Sequence, residues 1–442
     1  MSISKIVAGV IIIVIIVGVV FFLTSGHNNV VTNTGQKNTS STQVPNTTNS
    51  TQETAGTGKH TPILIGTLTI GSAGGSVSTI LNSKTGYIYA AVQNTNTIYV
   101  VSGNSIIGKL NVPNNLSDGL YSSAYASKND YIYVVNGNDI AVVSGTSVIQ
   151  NIPFNGGFAL QAVYDPLNGY AYVFDFSGMV LIISGTSIIA NITLSGSPET
   201  PIYDAKNGNI YILTYNLNSY LPMYPSTLYV ISGTSVIANI SAGFGSDGLA
   251  YDQYNGYVYY FENFSKVGYG NGTISVISGT SIVTNLTVGP QPNPLVNNTS
   301  NGYLYFYNSS KYGFGIGVSA INGTILIGNI IGGQLGDPQP SLYDPANRYI
   351  YIPLSASNKI FVVNGTALLS NVSIQSPLFP LYDPQNGYIY VTQSSGDISF
   401  INGTTILGNI PLGTYVGLEV YDPVNGYVYV PGGYGTLSIL SS

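Results

Sequence analysis

A ten-residue phrase that returns along the chain limits its fold more than any other feature. YDPLNGYAYV begins at Tyr164, YDPQNGYIYV at Tyr382 and YDPVNGYVYV at Tyr421, with looser copies between. A second phrase follows, as in IISGTSIIANI from Ile182 and FINGTTILGNI from Phe400. Aligning on the residue after the Asn-Gly pair gives Tyr87, Tyr131, Tyr170, Asn209, Tyr257, Tyr303, Tyr349, Tyr388 and Tyr427, spaced by 44, 39, 39, 48, 46, 46, 39 and 39 residues. Fixed self-similarity of this length marks a repeat architecture.

Each unit reads as four short strands. In Asp-Pro-x-Asn-Gly, proline presets φ, aspartate accepts backbone N–H groups and Asn-Gly takes positive φ, so the phrase is a turn. Tyr-x-Tyr-Val after it alternates by twos, as a half-buried strand does. The third strand closes on Ser-Gly-Thr-Ser, and the fourth, Ile-Ile-x-Asn-Ile, runs through a glycine-rich loop into the next unit. Four strands per repeat of this length make the blade of a β-propeller, so the expected class is all-β. The ninth unit stops after its third strand, Leu437 to Leu440, while TPILIGTLTI from Thr61 resembles an orphan fourth strand. Pairing the two closes a single ring of nine blades and leaves few exposed edges. Two rings would need a second seam inside the chain.

Charged residues make up 6% of the chain, against about 25% in ordinary domains. Eleven cations cannot build the basic stripe that phosphate recognition requires, so nucleic acid is excluded as a partner. The absence of cysteine removes disulfides, thiol nucleophiles and thiolate-bound metals. Both histidines, His27 and His60, precede the repeats, so no Ser-His-Asp set can form in the ring. The recurring Asp165, Asp204, Asp252, Asp344, Asp383 and Asp422 fall at the same place in successive units. That spreads them round the ring as turn caps instead of gathering them for catalysis. No enzyme activity, cofactor or metal is expected.

Ile6 to Leu23 is an apolar run of 18 residues. As a helix it would span ~27 Å, close to the hydrocarbon core of a bilayer. It is longer than the apolar part of a cleaved signal and ends in Thr24-Ser25-Gly26, so a retained transmembrane anchor over residues 1–25 is expected. Lys5 before it places the short terminus inside and the bulk of the chain outside the cell. Residues 26–60, rich in Asn, Thr, Ser and Gln, read as a flexible stalk, and 61–442 as the propeller. With that topology Asn-x-Ser/Thr triplets become glycosylation candidates. They are Asn38, Asn46 and Asn49 in the stalk, and Asn115, Asn191, Asn239, Asn263, Asn271, Asn285, Asn297, Asn298, Asn308, Asn322, Asn364, Asn371 and Asn402 in the ring.

NGYIYVTQ at Asn386–Gln393 and NDYIYVVN at Asn129–Asn136 resemble the YVTN-type β-propeller repeats of archaeal surface-layer and cell-surface proteins. The resemblance covers roughly residues 61–442 and implies a propeller in a surface setting. The Asn of YVTN is usually replaced here, and the polycystic-kidney-type domains that often accompany such propellers are absent.

Units four, five and six carry extra residues between their second and third strands, near 215–226, 262–272 and 308–315. In a propeller these connections share a face with the loops that join the blades. Three adjacent blades should therefore raise a rim bearing Tyr215, Tyr220, Tyr224, Phe264, Tyr269, Tyr312 and Phe314 among Asn, Ser and Gly. That mixture suits contact surfaces, because tyrosine offers area at low entropy cost. The expectation is an extracellular, membrane-anchored, non-catalytic module for binding or adhesion, its partner a surface protein or glycan. The alternative is a structural, self-assembling subunit of a cell envelope or appendage. Charge depletion fits an acidic habitat, since ion pairs fail when carboxylates protonate, and it predicts stability that changes little with pH.

Overall fold

The computed structural model describes residues 61–71, 74–154, 159–215, 225–264, 270–309, 315–414 and 416–442. The anchor and stalk expected over residues 1–60 lie outside them. Among the described residues no helix is long and apolar enough to cross a membrane.

The strands form nine antiparallel four-stranded blades. Blade 1 occupies 77–116, blade 2 124–153 and blade 3 159–193; blades 4 and 5 share 197–288; blades 6, 7 and 8 occupy 292–336, 342–373 and 377–411. Blade 9 takes its first three strands from 420–440 and its fourth from Leu64–Thr69, which pairs with Thr436–Leu440. First strands of neighbouring blades touch one another, so they surround the axis and each fourth strand is outermost. One join departs from the expected loop: Ser235–Asp252 runs unbroken from the outer strand of blade 4 into the inner strand of blade 5.

The repeated phrase explains the ring. In the turn, the aspartate Oδ1 accepts the N–H two residues on: Leu167 on Asp165 at 2.8 Å, Lys206 on Asp204 at 2.9 Å, Gln385 on Asp383 at 2.8 Å. The asparagine caps the next strand the same way, as Asn168 Oδ1 accepts from Tyr170 N at 2.8 Å. The glycine adopts positive φ and also lets the turn nest on its neighbour. A Cβ on Gly86 (φ 71°) would lie 2.7 Å from the Asp422 carboxylate of blade 9.

The second tyrosine of Tyr-x-Tyr-Val latches each blade to the next. Except in blade 8, where Tyr390 donates to Ser441 O at 3.4 Å, its hydroxyl donates to the glycine carbonyl of the following blade's third-to-fourth strand turn: Tyr89 to Gly145 (2.9 Å), Tyr172 to Gly233 (2.9 Å), Tyr259 to Gly323 (3.0 Å), Tyr351 to Gly403 (2.8 Å). Tyr429 of blade 9 reaches Gly103 of blade 1 at 2.9 Å, closing the circle. In five blades the turn asparagine donates to the same hydroxyl, so the phenol is satisfied twice. Burial pushes the Tyr89, Tyr172 and Tyr429 phenols up to about 12, so the donor proton is kept. Tyr259→Phe keeps the ring but strips the donor to Gly323. A loss of about 0.5–1.5 kcal/mol is expected for this part-buried bond, read as a melting point lower by one to a few degrees.

The outer strands share one irregularity. In blades 1 to 8 a β-bulge near the strand's start sets two consecutive residues opposite one on the third strand. Those residues are apolar and, apart from half-buried Val148 of blade 2, exposed: Ile106-Ile107, Ile188-Ile189, Leu368-Leu369 and counterparts elsewhere, with Ile63 and Leu64 at this end of blade 9. The result is a girdle of aliphatic side chains round the ring's outer edge, close to the Ser-Gly-Thr turns. Bulges are a usual guard on exposed edge strands.

Candidate binding face

The turns between first and second and between third and fourth strands lie on the latch side. The opposite face carries the second-to-third strand turns and the loops between blades. Most of these turns are tight, as between Tyr87–Val92 and Thr95–Ser102, or between Tyr131–Asn136 and Asp139–Ser144. In blades 4 to 6 they are longer, joining Tyr215 to Pro225, Phe264 to Gly272 and Ser309 to Gly315. The strands therefore place the three widened connections side by side on one sector of one face. Tyr215 sits half-buried at the end of its strand, paired with Ser197 and Ser226. Phe264 ends the second strand of blade 5. Tyr220, Tyr224, Tyr269, Tyr312 and Phe314 lie outside the described residues.

On the same face, over blades 1 to 3, is a hollow of about 60 Å³ that the sequence reading missed. The loop joining blades 1 and 2 supplies Ser117, Asp118 and Ser122, and Phe176 stands at the blade 3 turn. It is small, about the space of two waters, so it suits a side chain more than a substrate. Its sequence signal was the long 44-residue spacing between Tyr87 and Tyr131.

The acidic groups are dispersed. Among the described residues no three His, Asp or Glu stand close enough to hold a metal ion. Asp252, Asp383 and Asp422 are fully buried, and burial raises each above the usual carboxylate range against the hydrogen bonds of its turn. Glu262 shifts the same way, its Oε1 accepting from Gly243 N at 3.3 Å. Glu419, beside the first strand of blade 9, is 1% exposed, and neither oxygen has a hydrogen-bond partner among the described residues. Burial lifts it well above the glutamate range, with its own backbone and nearby Thr392 only a partial offset. One glutamate inside Val-Gly-Leu-Glu-Val was the overlooked signal.

Most ring sequons meet the exposure a glycan needs. Asn115, Asn191, Asn239, Asn271, Asn285, Asn322, Asn364, Asn371 and Asn402 are exposed, and Asn308 is half-buried. Asn38, Asn46 and Asn49 lie outside the described residues, and the side chain of Asn263 is not described. Asn297 and Asn298 correct the expectation, for both are buried. They stand where other blades have Tyr-Asp: Asn298 Oδ1 caps the turn at Ser300 N (3.0 Å), and Asn297 Nδ2 donates to Asp252 Oδ1 (2.8 Å).

No family model and no curated protein matches the sequence. Solved structures do match. The C-terminal WD40 domain of Sif2 overlays with a TM-score of 0.52 at 9% identity, covering 85% of this chain and 98% of that one. A eukaryotic initiation factor gives 0.52 at 9% identity, covering 82% and 89%. At 12% identity, dihydro-heme d1 dehydrogenase NirN in complex with DHE gives 0.49, too low to carry an argument. The likeness shows the fold alone, a β-propeller.

Proposed function

We propose that the protein is an extracellular, non-catalytic binding or adhesion module, a propeller displayed on a stalk by its N-terminal apolar segment. The observation that carries this reading is the sector where blades 4 to 6 launch their widened connections from one face. Rigid strands hold those connections at fixed spacing, which is how scaffolds commonly present binding loops. The dispersed carboxylates and the tyrosine-rich, nearly uncharged sequence fit contact better than chemistry. The resemblance to YVTN-type surface repeats and the apolar Ile6 to Leu23 support display outside the membrane. The partner is a surface protein or a glycan.

The test is attachment of the full-length protein to whole cells and to glycan and surface-protein arrays. Replacing Tyr220, Tyr224 and Tyr269 with serine removes aromatic anchors, each worth about 2 kcal/mol or more at an interface. Attachment is expected to weaken at least tenfold, since ~1.4 kcal/mol is a factor of ten, with the melting point unchanged. Tyr388→Ser, at the buried start of a blade 8 strand, should lower the melting point instead. Normal attachment by the folded triple variant would overturn the assignment of the site.

A further inference from the structure

The apolar girdle and the sequons of the outer edge occupy the same strip of the ring. Every outer strand of blades 2 to 8 has an asparagine two residues beyond the second residue of its apolar doublet, where blade 1 has Lys109. Alternate residues share a strand face and lie ~7 Å apart, so each asparagine borders the girdle. In blades 3, 4, 5 and 7 it heads a sequon: Asn191-Ile-Thr, Asn239-Ile-Ser, Asn285-Leu-Thr and Asn371-Val-Ser. Blades 6 and 8 break the triplet, with Ile331 and Pro411 at its third place. There the adjoining turn changes from Ser-Gly-Thr to Asn322-Gly-Thr and Asn402-Gly-Thr, and blade 7 has Asn364-Gly-Thr as well. All seven asparagines are exposed. Blades 3 to 8 thus each carry an acceptor beside the girdle by one route or the other, and blades 9, 1 and 2 carry none there, Asn115 of blade 1 standing eight residues beyond Ile107 at the far end of its strand.

We propose that N-linked glycans on this outer edge cover the apolar girdle over blades 3 to 8 and leave it open over the arc of blades 9, 1 and 2. This rests on the reading that the ring is exported. The donor is a lipid-linked oligosaccharide bonded through its anomeric carbon to a phosphate. Asparagine Nδ2 forms a bond to that carbon, the carbon–oxygen bond to phosphate breaks, and phosphate leaves with the electron pair. The amide nitrogen gives up one proton to the transferring enzyme. The attached sugars offer hydroxyls to water and C–H faces to the aliphatic side chains, so the strip is hydrated without charge. An uncovered apolar belt round a soluble ring would be a self-association hazard, because contiguous exposed apolar surface invites contact between copies.

Glycopeptide mass spectrometry on the full-length protein from its own membranes tests the placement, with the stalk sequons Asn38, Asn46 and Asn49 as an internal control. Occupancy of the stalk and of all six edge-bearing blades is expected. An occupied stalk with a bare outer edge would overturn the shield while export stands. A chain bare throughout would sink the export reading, and the shield with it. A second measurement tests what the sugars do. Thr193→Ala, Ser241→Ala, Thr287→Ala, Thr324→Ala, Thr366→Ala and Thr404→Ala, with Ser373→Ala, remove the acceptors and spare the asparagines. The folded product should bind 1-anilinonaphthalene-8-sulfonate about fivefold more strongly and sediment as oligomers. Adding Ile188→Ser, Ile189→Ser, Leu368→Ser and Leu369→Ser should reverse much of both. Unchanged dye binding and a monomeric folded ring without glycans would overturn the proposal.

Discussion

A protein lacking residues 61–70 is expected to be insoluble or rapidly proteolysed, whereas one beginning at Thr61 should melt as the full chain does. Leu64–Thr69 is the outer strand of blade 9, paired with Thr436–Leu440 through one register shift between Leu64 and Gly66. Ile70 is wholly buried against Val77, Leu437 and Ile439, with Ile65 and Leu68 packed beside it. Its N–H donates to Gly435 O at 2.6 Å, and Ser441 N donates to Ile63 O at 2.9 Å. Full burial of one such aliphatic side chain is worth about 1.5–3 kcal/mol, and the third strand would also lose a ladder of hydrogen bonds. Against a total stability of about 5–15 kcal/mol, that loss removes most of the margin. It also bares an edge strand to other chains. A synthetic peptide of residues 61–71 added during refolding should restore part of the soluble yield by strand addition. Equal stability of the two truncations would contradict closure through this seam.

The architecture was legible because the repeat wrote it nine times. Tyr-Asp, Asn-Gly and Ser-Gly-Thr each fix a turn by local chemistry, so strand order and the ninth-blade seam could be read before any packing was known. The latch was not legible. The second tyrosine of Tyr-x-Tyr looks like an ordinary inward strand residue, and its partner carbonyl, as with Tyr259 and Gly323, lies 64 residues ahead in the next blade. The Asn297 and Asn298 triplets misled for a related reason. Sequon grammar takes no account of position in the repeat, and at this position the side chains are spent capping the turn.

The site was half legible. Lengthened spacings pointed to blades 4 to 6 because extra residues must leave the sheet somewhere, and the second-to-third strand gap has room on an open face. The same logic should have flagged the loop from Ser117 to Ser122, which contributes to the hollow over blades 1 to 3. The girdle escaped because a doublet such as Ile188-Ile189 in a strand normally sends one side chain inward. Only the bulge turns both outward.

Melting of the full ring is expected to occur at a higher temperature at pH 3 than at pH 7, a sharper outcome than the near-indifference to pH that a low carboxylate count suggests. Counting carboxylates bounds the size of the effect; their burial sets its sign. Asp252, Asp383, Asp422, Glu262 and Glu419 are all raised by desolvation. Unfolded, such groups titrate near about 3.9 for Asp and 4.3 for Glu, so above those values the unfolded chain binds fewer protons than the native ring. Stability then falls as pH rises. The contribution is fully present below about pH 4 and is lost as pH climbs through the raised native values. Roughly 2 °C of midpoint accompanies each kcal/mol in a domain this large, so several such groups acting together should separate the two melts by several degrees. Glu419 isolates the cause, since burial dominates its shift and its own backbone and Thr392 offset it only in part. Glu419→Gln keeps the shape and cannot ionise, so it should raise the melting point at pH 7, leave it nearly unchanged at pH 3 and flatten the slope between. A wild-type melting point that drops from pH 7 to pH 3 would mean that carboxylate charge in the Asp turns holds the blades. A flat profile in both proteins would mean that native and unfolded chains bind equal numbers of protons throughout, so that burial does not raise these carboxyls, which would overturn the expected slope.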